Sequence, residues 1–222
     1  MLHLSKIKPA FSLLTLLLLV TVSCTSSKTI QYENVPIQRA QIELTEEQLL
    51  DVGILIFDPN LPEEDQEFIF PEIRKAEARY IPYHLKATLE DTGFWGGVWV
   101  LPEKSEAMDL IVGGRIEVSN GLKVAVRIGV WDITGREWMN KVYETTVSRS
   151  AYSQQRDYSQ DPYQSFYNKI ANDLLNIRNS LSSPELRRIS EIGDLRFAAE
   201  LVPGVYSDYL MQDEKDIFSA KR

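Results

Sequence analysis

The sequence predicts an α/β fold, and three observations carry that prediction. Val52-Gly53-Ile54-Leu55-Ile56-Phe57 is an unbroken apolar run, the pattern of a strand buried on both faces. Leu110 to Val118, Leu122 to Asp132 and Glu137 to Val147 are β-rich runs separated by Ser119-Asn120-Gly121 and by Ile133-Thr134-Gly135-Arg136. Asn-Gly and Thr-Gly between such runs are hairpin signals, so these three form an antiparallel meander. Finally, stretches with helical apolar spacing lie on both sides of the meander in the chain.

The elements follow in order. Thr25 to Leu50 is polar and reads as a tether, with a short helix at Thr45–Asp51. The first strand ends at Asp58-Pro59-Asn60, and Leu61 to Glu67 is an acidic surface loop. From Pro71 to about Asp91, Ile73, Ala76, Tyr80, His84 and Ala87 fall near one helical face, with Ile81, Leu85 and Leu89 beside it. Pro82 is expected to kink this helix or start a second one, because it lacks an amide donor and clashes with the turn before it. Gly93 suits the stop. Gly97 to Leu101 is a strand ended by Pro102. In the meander, Leu122, Val124, Val126, Ile128 and Val130 alternate without a break, so they face a core, and Lys123, Arg127 and Trp131 lie opposite. Ser148 to Asp161 is a long polar loop. Asp161-Pro162 is expected to cap and open a helix with the stripe Phe166, Ile170, Leu174, Ile177, Leu181. Ser183-Pro184 opens another, ended by Pro203-Gly204, and a last short helix is expected between Tyr206 and Phe218.

Composition narrows function. The 222 residues carry 24 Lys+Arg against 32 Asp+Glu, a net charge of −8. Duplex binding is driven by basic groups that displace counterions, so nucleic acid is not an expected partner. Two His exclude a His-rich metal site and one Cys excludes an internal disulfide. No metal or cofactor is expected.

The first residues speak to location. Lys6 and Lys8 precede a 13-residue apolar run, Ala10 to Val22. That is too short for a bilayer core, which needs about 20 residues, but it suits a signal peptide. The sole Cys follows at once, after Val20-Thr21-Val22-Ser23. This resembles the lipobox of bacterial lipoproteins, in which the Cys is lipidated and becomes the first residue; Thr21 stands where Leu is commonest. The plainer alternative is an ordinary signal peptide with an incidental Cys. Residues 1–23 hold Lys6, Lys8 and no acid, so their removal leaves 199 residues at a net charge of −10. Thr25 and Ser26, rather than Asp, after the Cys imply the outer membrane, with the protein on its periplasmic face and Cys24 as its membrane contact.

The segments "VGILIFDP", "MDLIVGGRIEV", "KVAVRIGVWDITGREW" and "DPYQSFYNKIANDLL" occur in that order. They resemble the periplasmic domain shared by the amino-terminal part of TolB, the curli secretion lipoprotein CsgG and the Pel-system lipoprotein PelC. The matching positions are Gly113, Gly114, Asp132, Thr134, Gly135 and Trp138, and the likeness spans about Val52 to Leu181. The chain is also similar to uncharacterised bacterial lipoproteins carrying "ARYIPYHLKATLEDTGFWGGVWVLPE". The resemblance implies a mixed five-stranded sheet with helices on its faces, the fourth strand antiparallel to the rest. The membrane hairpins of the curli channel and the propeller of TolB are missing, so pore formation and docking on a propeller are not implied. The organisation expected is a signal peptide at 1–23, an anchor and tether at 24–50, the α/β domain at 51–181 and a C-terminal helical extension at 182–222.

Candidate sites are few. Cys24 is the lipidation site. His84 lies mid-helix and reads as a packing or capping residue. Gly96-Gly97 and Gly113-Gly114 lack the Gly-Lys-Ser/Thr of a phosphate loop. Glu103, Glu106 and Asp109 could serve a glycosidase but sit in an acidic loop. The aromatic residues suggest more, because exposed aromatics anchor interfaces and stack on sugars. Trp95 and Trp99 share a face if their strand runs from Phe94. Trp131, Tyr152, Arg156, Tyr158 and Tyr163 are the candidate interaction residues, and covered Trp residues on a two-sided sheet are the alternative. The function expected is non-enzymatic, through contacts with a protein partner or a homo-oligomer in envelope assembly or export. A glycan- or peptidoglycan-binding module is the second reading and a hydrolase the third.

Overall fold

A computed structural model describes residues 34–62, 70–120, 123–146, 161 and 163–221. Cys24, the tether before residue 34, and Tyr152, Arg156 and Tyr158 lie outside the described residues. Five strands, β1 (Val52–Leu55), β2 (Val98–Leu101), β3 (Leu110–Ser119), β4 (Lys123–Asp132) and β5 (Glu137–Thr146), form one sheet in the order β2-β1-β3-β4-β5. β1 is parallel to both β2 and β3. The β3–β4 and β4–β5 pairs are antiparallel, so β4 alone runs against the other four. The mixed sheet and the meander are therefore as expected.

Helices α1 (Pro71–Thr92) and α2 (Gln164–Ser180) cover one face. Ile81, Leu85 and Leu89 from α1 and Phe166, Ile170 and Leu174 from α2 join Val52, Ile54, Val112, Val126, Ile128 and Val130 in one buried cluster. The alternation on β4 puts Val124 to Val130 into that cluster. Lys141 Nζ and the Tyr143 hydroxyl both reach Asp173 Oδ2 at 2.6 Å, which clips β5 to α2. Burial pushes Asp173 upward, but these two donors win and hold it below its ordinary carboxylate range.

Helix α3 (Ser183–Leu201) crosses the end of the sheet. Its Arg196 Nη1 donates to the Ile133 carbonyl at 2.7 Å, just beyond β4, and Gly193 passes beside Asp109, just before β3. Ser182 caps it: its amide and hydroxyl donate to Glu185 Oε2 at 2.8 and 2.7 Å.

On α1 the buried face is that of Ala78, Ile81, Leu85 and Leu89, while Ile73 and Tyr80, expected on the apolar face, are exposed because the helix is rotated toward the former set. Four details of the chain's path also differ from the sequence reading. First, α1 runs through Pro82 without a break. Proline leaves the carbonyl four residues back without its helical donor. That carbonyl, Ala78, accepts the Phe57 amide at 2.9 Å instead. Second, α2 starts at Gln164, not at Asp161-Pro162. Asp161 Oδ1 accepts the Tyr163 amide at 2.7 Å and Asp161 O accepts the Gln164 amide, so the acid organises a turn ahead of the helix. Third, no helix spans Tyr206 to Phe218. After α4 (Pro203–Tyr206) the chain forms a hairpin, β6 (Leu210–Gln212) and β7 (Phe218–Ala220). Asp213 Oδ1 accepts the amides of Lys215 and Ile217 at 2.8 and 2.9 Å and makes the turn. Fourth, from Val35 on, the stretch read as tether is docked on the domain, as described below.

Candidate functional site

The second face of the sheet is formed by side chains of opposite parity. Register places Trp99, Gly53, Ile111 and Trp131 in one row across β2, β1, β3 and β4. Leu101 and Met108 fill the hollow over Gly53. Trp99 and Trp131 stand at the two ends of the row, 42% and 36% exposed. Three interstrand steps of about 4.8 Å put them roughly 14 Å apart. Each six-membered indole edge occupies space that a Cβ would take: Trp131 over Gly129, with Gly113 at its side, and Trp99 over Gly97. Glycine at these positions is therefore what lets an indole lie against the sheet.

The rest of this face is polar. Arg115 and Arg127 are direct cross-strand partners. Like charges in that position repel. Each is given an acid: Arg115 Nε lies 3.5 Å from Asp58 and Arg127 Nε lies 2.9 Å from Glu117. Arg127 Nη1 also donates to Asn140, whose backbone pairs with Gly129 beneath Trp131. Val142 is exposed on the same face. The arrangement offers two flat apolar anchors with charged, hydrogen-bonding groups between and around them.

The motif around Asp132 has a structural role. Its buried carboxylate accepts the Thr134 amide at 3.0 Å, the Thr134 hydroxyl, the Arg136 amide and Nε at 3.2 Å each, and Trp138 Nε1 at 2.8 Å. Gly135 has a φ of 99°, which the turn requires and which L side chains rarely adopt. Asp, Thr, Gly and Trp at these spacings are a self-contained hairpin clasp, and they set the end of the strand on which Trp131 sits.

The other candidates fall elsewhere. Trp95 lies before β2 and is buried, so it does not share a strand face with Trp99. Tyr163 is half-buried against the core beside the helices and is not brought together with Trp131. His84 Nδ1 lies 3.2 Å from Asp161 Oδ2 and its ring packs against Tyr80 and Tyr167, a link between α1 and the turn ahead of α2. Trp99, which the sequence groups with Trp95 rather than with the candidate interaction residues, is an exposed anchor. The signal was Gly97, two residues earlier on the same parity, where the indole lies.

A cleft of about 520 Å³ opens beside α3, lined in part by Asp51, Glu106, Asp109, Ser190 and Asp194. Three of its carboxylates are occupied with the fold. Asp109 Oδ2 accepts the Asp51 amide at 2.8 Å, Asp51 Oδ1 accepts the Gly97 amide at 2.7 Å, and Glu106 pairs with Arg196 Nε at 2.6 Å. Burial, together with the charges of Asp51 and Asp194, pushes Asp109 up to about 6. Among the described residues, no group of His, Cys, Asp and Glu could hold a metal ion, and no helix is long and apolar enough to cross a membrane.

No protein-family model and no curated protein matches the chain. Among solved structures, a hypothetical protein from Chlamydia trachomatis is similar at 11% identity and a TM-score of 0.37, covering 59% of this chain and 98% of that one.

Proposed function

We propose that this protein is a non-enzymatic lipoprotein, held by Cys24 at the periplasmic face of the outer membrane, that works through protein–protein contacts in envelope assembly or export. The observation that carries the reading is the sheet face on which Trp99 and Trp131 stand exposed on glycine beds, with no helix over it among the described residues. Large aromatics and arginines dominate interface energetics, and Arg115 and Arg127 lie on the same face. The lone Cys directly after the apolar run supports the anchor; two or more acyl chains would hold it stably, where one holds weakly. The resemblance to the CsgG, TolB amino-terminal and PelC domain supports the compartment and the absence of catalysis.

The test is a photo-crosslinker placed at Val142, exposed beside Arg127 on this face, in intact cells. A discrete crosslinked protein that vanishes on Arg127→Glu supports the reading; crosslinks identical to those from an exposed α1 position such as Tyr83 refute it. Fatty-acid labelling should be lost on Cys24→Ser, and equal labelling of both forms would remove the anchor from the proposal.

A glycan partner is the second reading, favoured by the same two indoles, which could stack on sugar rings beside Arg127 and Asn140. Co-sedimentation with purified sacculi that is abolished by Trp131→Ala, with no protein crosslink, would select it.

A further inference from the structure

The described chain begins as an extended strap laid on the helices. Val35 and Ile37 are half-buried while Asn34, Pro36 and Gln38 are exposed, the alternation of an extended segment. Ile37 packs against the hydrophobic core. The helices hold this segment by its main chain. On α2, Ser165 Oγ accepts the Val35 amide at 3.3 Å and Asn168 Nδ2 donates to the Val35 carbonyl at 2.7 Å. One turn on, Asn172 binds twice: Nδ2 donates to the Pro36 carbonyl at 2.9 Å and Oδ1 accepts the Gln38 amide at 3.0 Å. At the end of α1, the Thr92 carbonyl accepts the Ala40 amide at 2.8 Å.

An amide side chain that bonds the carbonyl of one residue and the N–H of the second one after it does what a neighbouring β-strand does. Such recognition reads extended backbone, with little regard to sequence. The key amide is also aimed by residues outside the strap. Gln164 Nε2 donates to Asn168 Oδ1 at 2.9 Å and to Thr88 Oγ1 at 3.1 Å, which leaves Asn168 Nδ2 turned toward Val35. The side of the groove that does the recognising is thus pre-formed, and Asn168 is 7% exposed. No strap residue from Asn34 to Ala40 is fully buried, and none belongs to the sheet, so its release breaks no strand pairing. Segments of that kind open at a fraction of the global unfolding free energy.

We infer that the α1–α2 groove is a binding site for an extended polypeptide, that residues 35–40 are its built-in occupant, and that an extended segment of a partner protein with a branched aliphatic side chain at the Ile37 position replaces them. The seated strap identifies the ligand class: it displays the backbone bonds and the single apolar pocket that a replacement must satisfy. This site is separate from the indole face and does not depend on the function proposed for it.

The probe is a fluorescent peptide of residues 33–41, titrated into the chain carrying Ile37→Asp and Ala40→Pro, which remove the strap's apolar anchor and its bond to Thr92. Binding at least tenfold tighter than to the wild-type chain, and lost again on adding Asn172→Ala, supports the site. Equal binding to the two proteins, or none to a folded strap variant, overturns it. Dimers of the strap variant in which residue 35 of one copy crosslinks to residue 165 of another would make the occupant a second copy and overturn a foreign segment. Should the strap variant fail to fold, hydrogen exchange in the wild-type chain decides. Val35 and Gln38 amides that exchange well before Val126 support a releasable strap; exchange only with global unfolding overturns it.

Discussion

Val126 and Arg127 are neighbours on β4 and meet opposite surroundings. Val126 is fully buried under the helices, whereas Arg127 is exposed on the other face. The same contrast runs through the sheet. On the helical face the strands contribute Val and Ile, and packing decides every position. On the other face they contribute Gly53, Gly113 and Gly129, two indoles and two arginines, and space for the indoles decides. One face is packed under helices; the other leaves its indoles and arginines partly at the surface. A residue's share in stability and its share in function should therefore separate by strand parity.

The strongest challenge to this contrast is Val126→Asp. A carboxylate buried with no partner costs several kcal/mol, a large part of the about 5–15 kcal/mol that a domain has. Circular dichroism should find the variant unfolded; a melting temperature within a few degrees of wild type would mean the faces are misassigned. A smaller loss is expected from Asp132→Ala, which strips the clasp of its acceptor and strands Trp138 Nε1 and the Thr134 and Arg136 amides. About 3 kcal/mol is expected in urea titration, and a loss below about 1 kcal/mol would demote the clasp to decoration.

The third test concerns neither face but the end of the sheet. Asp109 holds its proton up to about 6, above its ordinary value of 3.8. The folded state thus binds that proton more tightly than the unfolded chain. Its contribution to stability is complete below about pH 4 and is lost as pH rises through 6. Asp109→Asn should flatten this fall, with a gain of about 1–2 kcal/mol at pH 8 relative to wild type and little change at pH 4. Parallel pH–melting curves for the two proteins would contradict it. The smallest effect on stability is expected from Trp131→Ala, about 1 kcal/mol for the partly covered indole, together with loss of the crosslinks made from this face. Equal crosslinking would remove the indole from the interface, and a loss of several kcal/mol would return it to the core.

The meander was legible because period-two alternation from Leu122 to Val130 and the turn residues around Gly121 and Gly135 point the same way. The covered face was legible for the same reason. That no helix among the described residues covers the opposite face was not, because alternation says which parity is apolar and nothing about what lies over the other. Of the Val52–Phe57 run the strand takes Val52–Leu55, in which Val52, Gly53 and Ile54 are buried and Leu55 only partly so; the second side of Gly53 is covered by Leu101 and Met108 rather than by a helix. The C-terminal hairpin was missed because its strands are three residues each, too short for a period, and only Asp213 marked the turn. The strap was not legible because its bonds go through main-chain groups, which composition does not record, and their partners Asn168 and Asn172 lie off the apolar stripe of α2.

Pro82 gives α1 an address. Along an ordinary helix interior every carbonyl is engaged, and a strand end could settle against any turn with equal comfort. Here a single mid-helix carbonyl, that of Ala78, is left without its helical donor, and the single amide of Phe57 fills it. Sliding α1 by one turn along the sheet would orphan both groups at once. The proline that weakens the helix as an isolated segment thereby works as a registration key, fixing where the helix sits against the strand and excluding the neighbouring settings that apolar packing alone would tolerate.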